Sequence, residues 1–278
     1  MTQVVRPARV DDLAGIAAVA VATDQAGEGA GADPRYAAHL LTRGRLLVAT
    51  EQDSVIGYAG SIDIDGVDML TDLFVLARHR GQGVGKALLE RVWTGAAHRM
   101  TFSSSHESAL PLYAKFGLLP RWPLDFLVGD PDPQPALRPP RSSLRVYHVS
   151  QAKAARVEHR LSETDRTADY AYWAARPAAS LVVIRDGEAV VAVGATGGEG
   201  AAFGLSHLCL GSAERAVEVL QCVLGALRRP AVVAIPRPMS AAPALVDAGW
   251  RVVDTDQFAA TSDDLVDPRL VIPHPGLL

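Results

Sequence analysis

The chain has 278 residues, 49% of them hydrophobic and 21% charged, and a formal net charge of -4. That length exceeds an ordinary single domain and suits two of comparable size, each with its own core. The composition is globular. No apolar run is long enough to span a bilayer, and a slightly acidic chain without a basic tract argues against nucleic acid as a partner. Met1 to Arg6 has neither the basic start nor the apolar stretch of a signal peptide, and Cys209 and Cys222 are the only cysteines. The expectation is a cytoplasmic protein with no membrane contact, no disulfide framework and no zinc site, its cysteines acting as small apolar residues.

Val4 to Arg6 starts a strand, and Asp11-Asp12 offers an N-cap to a helix carrying Leu13, Ile16 and Val19 at helical spacing. The glycine-rich segment from Gln25 to Asp33 reads as a loop, and Pro34 opens a second helix. Glu28 in that loop is a candidate contact for an amine, against the simpler reading of a solvated carboxylate. Arg45 to Thr50, Ser54 to Ile64 and Val67 to Leu76 form an antiparallel meander turned at Asp65-Gly66. Strict alternation on the third strand puts Asp68, Leu70, Asp72 and Phe74 on one face, with Met69, Thr71, Leu73 and Val75 on the other. Asp72 then stands among apolar neighbours, where a carboxylate must be hydrogen-bonded, paired or turned to a cleft.

That strand runs directly into Arg78-His79-Arg80-Gly81-Gln82-Gly83-Val84-Gly85-Lys86 and then an amphipathic helix with Val84, Leu88, Leu89 and Val92 as its core stripe. Glycines allow the backbone to curl close to a ligand, and the unpaired donors of the helix's first turn favour a phosphate. Arg78, Arg80 and Lys86 add positive charge. The spacing does not fit G-x-x-x-x-G-K-[ST], because Gly81 to Gly85 is one residue short and Ala87 replaces the magnesium-binding hydroxyl. Nor does it fit G-x-G-x-x-G, whose third glycine falls at Lys86. It does read as R-x-x-G-x-G from Arg80 to Gly85. Farther on, a strand at Arg99 to Ser103 precedes a helix over Glu107 to Phe116 that ends at Gly117, and Leu118 to Val128 makes a closing strand pair or one extended strand.

The Arg80 to Gly85 loop resembles the acyl-CoA pyrophosphate loop of the GCN5-related N-acetyltransferases (GNATs). Leu112-Tyr113-Ala114-Lys115-Phe116-Gly117-Leu118 is similar to the L-Y-x-x-x-G-F motif that follows it in that family. The resemblance covers the first half of the chain. It implies a mixed-sheet α/β fold, acetyl-CoA as cofactor, and direct acetyl transfer to an amine without an acyl-enzyme. The cofactor would be held by Arg80, Gly81, Gln82, Gly83, Val84, Gly85 and Lys86, with the main chain of Leu73, Phe74 and Val75 carrying the pantetheine. Tyr113 stands where the family's tyrosine protonates the leaving thiolate. Asp72 is the first candidate for the base, with Glu28 and His106 behind it, and all three are candidate contacts for the acceptor.

Prolines between Asp130 and Arg141 mark a semi-rigid linker. Beyond it the order of elements repeats: a strand from Leu144, a helix over Asp165 to Ala175, strands at Leu181 to Ile184, Ala189 to Val193 and Ala201 to Leu210, a helix over Ala213 to Leu227, a strand at Ala231 to Ile235 and a helix over Ala241 to Ala248. Only Gly211-Ser212 stands where the glycine loop would be. The reading is two tandem GNAT-like domains: a catalytic domain at 1–129, a linker at 130–143 and a degenerate copy at 144–278, in a monomer or homodimer. The acceptor expected is a small amine, with an aminoglycoside-type antibiotic as one possibility the resemblance admits. Acetylation of a protein amine and acyl-CoA binding without turnover stand as alternatives.

Overall fold

The computed structural model describes residues 3–23, 34–93, 95–104, 106–130, 143–200, 203–227 and 229–278. The first half runs β1 (Gln3–Pro7), α1 (Leu13–Ala22), α2 (Pro34–Arg43), β2 (Arg45–Glu51), β3 (Ser54–Ile64), β4 (Val67–Val75), α3 (Val84–Val92), β5 (His98–Ser103), α4 (Ala109–Ala114) and β6 (Leu119–Gly129). The second half repeats this order in β7 (Leu144–His148), α5 (Gln151–Ser162), α6 (Thr167–Ala174), β8 (Ser180–Asp186), β9 (Ala189–Gly197), β10 (Gly204–Leu210), α7 (Ala216–Leu227), β11 (Ala231–Pro236), α8 (Ala241–Asp247) and β12 (Arg251–Ala260). A short strand, β13 (Val271–Ile272), follows. The chain therefore contains the same mixed α/β pattern twice. Among the described residues, α5 and β12 are elements the sequence pattern had not disclosed.

Local chemistry builds the meander as expected. Asp65 and Gly66 both take positive φ, 51° and 86°, the conformation a two-residue hairpin turn needs to match the twist of its strands. The halves join differently from two beads on a linker. All the strands form one sheet, in the order β1-β2-β3-β4-β5-β12-β6-β11-β10-β9-β8-β7, with β13 against β10. The last strands of the two halves have changed places. β12 pairs with β5 from Gln257↔Ser103 to Ala260↔Met100, and β6 pairs with β11 from Ala231↔Gly129 to Pro236↔Leu124. Trp122 of β6 stacks on Phe258 of β12 at 4.4 Å, and Phe102 of β5 packs edge-on to Trp122.

The two faces of the sheet are filled unequally. Under α3 and α4 lies a first-half core with Leu88, Leu89 and Tyr113, and under α7 and α8 a second-half core with Val219, Leu220 and Trp250. On the opposite face α1, α2, α5 and α6 cover a single continuous core, from Ile16 and Leu40 to Tyr170 and Trp173. The C-terminal Leu277 and Leu278 are buried in it as well. The tail is tied at both ends: β13 pairs with β10, Tyr36 Oη lies 3.2 Å from Gly276 O, and Arg166 Nη1 donates to Leu277 O at 2.6 Å.

Strict alternation on β4 does not hold. Opposite β3, the register moves from Ser61↔Leu70 to Gly60↔Asp72, leaving Thr71 as a bulge. An inserted residue reverses the faces beyond it. Leu70, Leu73 and Val75 accordingly share the core under α3, while Met69 and Phe74 belong with the shared core, and Asp72 turns toward α2. Gly60 makes room for this, since a Cβ there would sit 2.4 Å from Thr71 Oγ1 and 3.3 Å from Asp72 Oδ2.

Candidate active site

Three features meet at the end of β4. The first is the glycine turn. Gly81 and Gly83 have φ of 73° and 85°, and a Cβ at either would meet nothing within 4 Å. Glycine is needed there for backbone conformation and not for lack of room. Gly83 is the N-cap of α3, and Ala87 N donates to Gly83 O at 2.9 Å. Helix geometry leaves the amides of Val84, Gly85 and Lys86 without partners inside the helix, at the positive end of its dipole. Val84 itself is buried and anchors the turn. Arg80 braces the loop from outside: Nε donates to Val75 O at 3.0 Å, and Nη1 lies 3.1 Å from His106 Nε2. Gln82 Nε2 donates to Arg78 O at 2.9 Å, and Lys86 pairs with Glu90 at 3.4 Å on the exposed side of α3.

The second feature is a splay. β4 and β5 pair in parallel from Val67↔His98 only as far as Leu70↔Thr101. Beyond that point Leu73, Phe74 and Val75 keep β3 on one side, with no strand on the other among the described residues.

The third is a cavity of about 450 Å³ at the mouth of the splay. Asp72, Leu73 and Phe74 line it from β4, Tyr113 from α4, and Asp254 and Asp256 from β12, while Pro273 to Gly276 wall it from the tail. Tyr113 is buried, with Trp93 edge-on at 6.4 Å. Burial, and then the charges of Asp256 and Asp72, raise its phenol above the ordinary tyrosine value, so it stays protonated. Asp72 is 4% exposed and accepts from Tyr36 Oη at 3.0 Å. His274 is neutral: burial, then the charge of Arg176, pull it down to about 3, and its Nδ1 accepts from Gly276 N at 3.1 Å.

The structure thus brings Leu73, Phe74, Asp72 and Tyr113 to one cavity, with the Arg80 to Lys86 turn at the adjoining end of β4. His106 is not with them. It stands beside Arg80 and Ser108, outside the cavity lining. Glu28 lies outside the described residues. The other meander carboxylates are also elsewhere: Asp68 is ion-paired with Arg45, and Asp63 accepts from Gly66 N in the turn. Tyr36, His274, Asp254 and Asp256 were missed. The alternating Asp254 and Asp256 before Phe258 were the available signal, and they needed β12 to be recognised as a strand.

Comparison with known proteins agrees with this geometry. Residues 42–117 match the family model for the acetyltransferase (GNAT) domain. This chain carries a GNAT domain. The matched span contains the bulged β4, the glycine turn and Tyr113, and acyl transfer is the general chemistry that a domain of this kind supports. Searching curated proteins finds no sequence match. Among solved structures, an acetyltransferase candidate from Pyrococcus horikoshii aligns over 99% of this chain and 94% of its own, at 15% identity and a TM-score of 0.73. A tandem GNAT protein from the clavulanic acid biosynthesis pathway aligns over 96% and 100%, at 13% identity and a TM-score of 0.64. A GCN5-related N-acetyltransferase from Anabaena variabilis aligns over 93% and 72%, at 12% identity and a TM-score of 0.63. At these identities the likeness is one of fold, and it extends across both GNAT-like halves. Among the described residues no helix is long and apolar enough to cross a membrane, and no cluster of metal-binding side chains occurs.

Proposed function

We propose that the chain is an N-acetyltransferase that moves an acetyl group from acetyl-CoA directly to a primary amine of a small molecule. Residues 1–129 supply its cofactor site, and residues 144–278, beyond the linker at 130–143, form a copy without one. The observation that carries this reading is the route from the glycine turn along Leu73 to Val75 into the cavity shared by Tyr113 and Asp72. The open space beside Gly81 and Gly83 and the outward amides of α3 fit a pyrophosphate. Bound there, acetyl-CoA supplies an activated acetyl thioester.

In this reading the chain's own groups do four things. Amides of Val84 to Lys86, with Arg80 and Gln82 shaping the loop, fix the phosphates. Main chain from Leu73 to Val75 lines up the thioester arm. Tyr113 donates a proton to the departing thiolate. Asp72 sets a negative charge on the acceptor side, which favours a cationic amine. A cavity walled by the tail favours a small acceptor over an amine on a folded protein, and aminoglycoside-type amines belong in the panel to be tried. The test is acetyl-CoA titration by calorimetry together with thiol release over a panel of small amines and lysine peptides. Turnover on small amines is expected. Tight acetyl-CoA binding with no turnover on any amine would make the protein a sensor instead.

A further inference from the structure

We propose that Asp256, on the strand exchanged into the first half, takes the proton from the acceptor ammonium, so that the active site is completed by the second half of the chain. This rests on the acetyl-transfer reading above. The sheet register supports it first. β12 carries no inserted residue from Asp254 to Ala260: the one irregularity there, between Phe258 and Ala259, comes from an extra residue, Arg121, on β6, and the pairing with β5 from Gln257 to Ala260 is unbroken. Asp254, Asp256, Phe258 and Ala260 therefore share one face. Phe258 and Ala260 lie in the shared core with Phe74, so that face is also the one to which the bulge turns Asp72. Gln257 pairs with Ser103 at the far end of β5, just where β4 has splayed away. Asp72 and Asp256 consequently flank the mouth of the splay from opposite sides, and both line the cavity that Tyr113 reaches from α4.

Their surroundings assign different work to the two carboxylates. Asp72 is almost wholly buried and accepts the Tyr36 hydroxyl, which braces β4 against α2. A carboxylate so held suits binding the ammonium and is poorly placed to pass a proton to water. Asp256 is half-buried, and Asp254, two residues away on the same face, is exposed. A proton taken by Asp256 has a short way out. Besides these two, the titratable and charged groups around the cavity are Asp72, Tyr113, Arg176 and His274. The neutral His274 and the protonated Tyr113 leave the carboxylates as its basic groups.

The step balances. One ammonium proton passes to Asp256 and on to solvent. The amine nitrogen bonds to the acetyl carbon, and the carbon–sulfur bond breaks with its electron pair on sulfur. Sulfur takes the Tyr113 proton, and the second amine proton restores the phenol. The products are the amide, free thiol and one released proton.

The experiment is the pH dependence of kcat for the full chain and for Asp256→Asn, with acetyl-CoA affinity measured alongside. Replacing the carboxylate should lower kcat at neutral pH about 100-fold, within the range of general base catalysis. Acetyl-CoA affinity should be unchanged, and the deficit should shrink as rising pH supplies free amine. Asp256→Ser, which opens space for formate, should regain part of its rate when formate is added, an effect a merely structural role would not give. Should Asp256→Asn not fold, the serine variant reads the same profile. Unchanged kcat and acid limb in a folded variant would overturn the assignment and leave acetyl transfer intact. A wild-type chain that binds acetyl-CoA and acetylates no amine would overturn both.

Discussion

The two halves carry the same strand, bulge and splay, yet only one leaves the splay open. In the first half the parallel ladder ends at Leu70↔Thr101, Thr71 bulges and Asp72 follows. In the second half it ends at Leu205↔Val233, Ser206 bulges and His207 follows. There the likeness stops. β13 lies along β10 at Leu208↔Ile272 and Cys209↔Val271, and Leu210 N donates to Leu270 O at 2.8 Å. The chain's own tail thus takes the strand edge that stays open in the first half. At the following turn Ser212 Oγ accepts from Glu214 N at 3.3 Å, so the turn caps itself, whereas Gly83 offers no side chain to its helix. His207 is fully buried, 2.8 Å from Glu158 Oε1 and stacked on Trp173 at 4.7 Å. Its counterpart Asp72 borders a cavity. One half leaves its carboxylate at a cavity, and the other ties its imidazole into the core.

The hardest way to break this comparison is through the glycine turn. Gly83→Trp forces a bulky side chain onto a φ of 85° and into the open space beside the α3 amides. Acetyl-CoA affinity should fall at least about 100-fold by calorimetry, equivalent to about 2.7 kcal/mol. Retained affinity would mean that the loop is not the anion site and that the two halves differ for another reason. Tyr113→Phe probes the next step along the groove. Turnover should drop about 100-fold with acetyl-CoA affinity unchanged, since the ring is kept and only the proton donor is lost. An unaltered rate across pH would remove Tyr113 from the chemistry.

Removing residues 271–278 tests the other side of the comparison. It deletes β13, the buried Leu277 and Leu278, and the contacts from Tyr36 and Arg166 to the tail. Two buried leucines alone are worth about 3–6 kcal/mol, so the urea midpoint should fall sharply. Opening the second groove should still leave one acetyl-CoA per chain, because no glycine turn faces it. Two bound per chain would show that the tail, and not the missing loop, keeps that half empty.

How far the sequence disclosed this arrangement depends on the range of the interactions. The turn from Arg80 to Lys86 and the helix behind it were legible, because glycine spacing and a helical apolar stripe are local. The Asp65-Gly66 hairpin was legible for the same reason. The face of Asp72 was not, since the bulge at Thr71 is set by pairing with Gly60 and Ser61 across β3. β12 was hidden by its own composition. Arg251 to Asp254 are all exposed, two valines between two charges, so the segment lacks a clean alternation, although it lies at the centre of the sheet. Strand exchange is further out of reach, because alternation states that a strand has an inner face and never which neighbour it will choose. A linker of prolines suggested separate units, while the pairing of β6 and β12 depends on contacts more than a hundred residues apart.

The most gradual effect expected lies in the acid response of the tail. Burial, then Arg176 and His207, hold His274 down to about 3, against an ordinary histidine value of 6.5. Below pH 6.5 the unfolded chain therefore takes up a proton that the folded chain refuses. Stability associated with this side chain is complete above about pH 6.5 and is lost progressively as pH falls toward about 3. His274→Asn removes the titration. Its stability, read from urea midpoints, should decline less steeply through that window, by up to about 1.4 kcal/mol per pH unit for one proton. An identical slope in the two proteins would mean that the imidazole is already charged in the folded tail. The cavity wall would then carry a positive charge opposite Asp72 and Asp256, and the preference for a cationic acceptor would weaken with it.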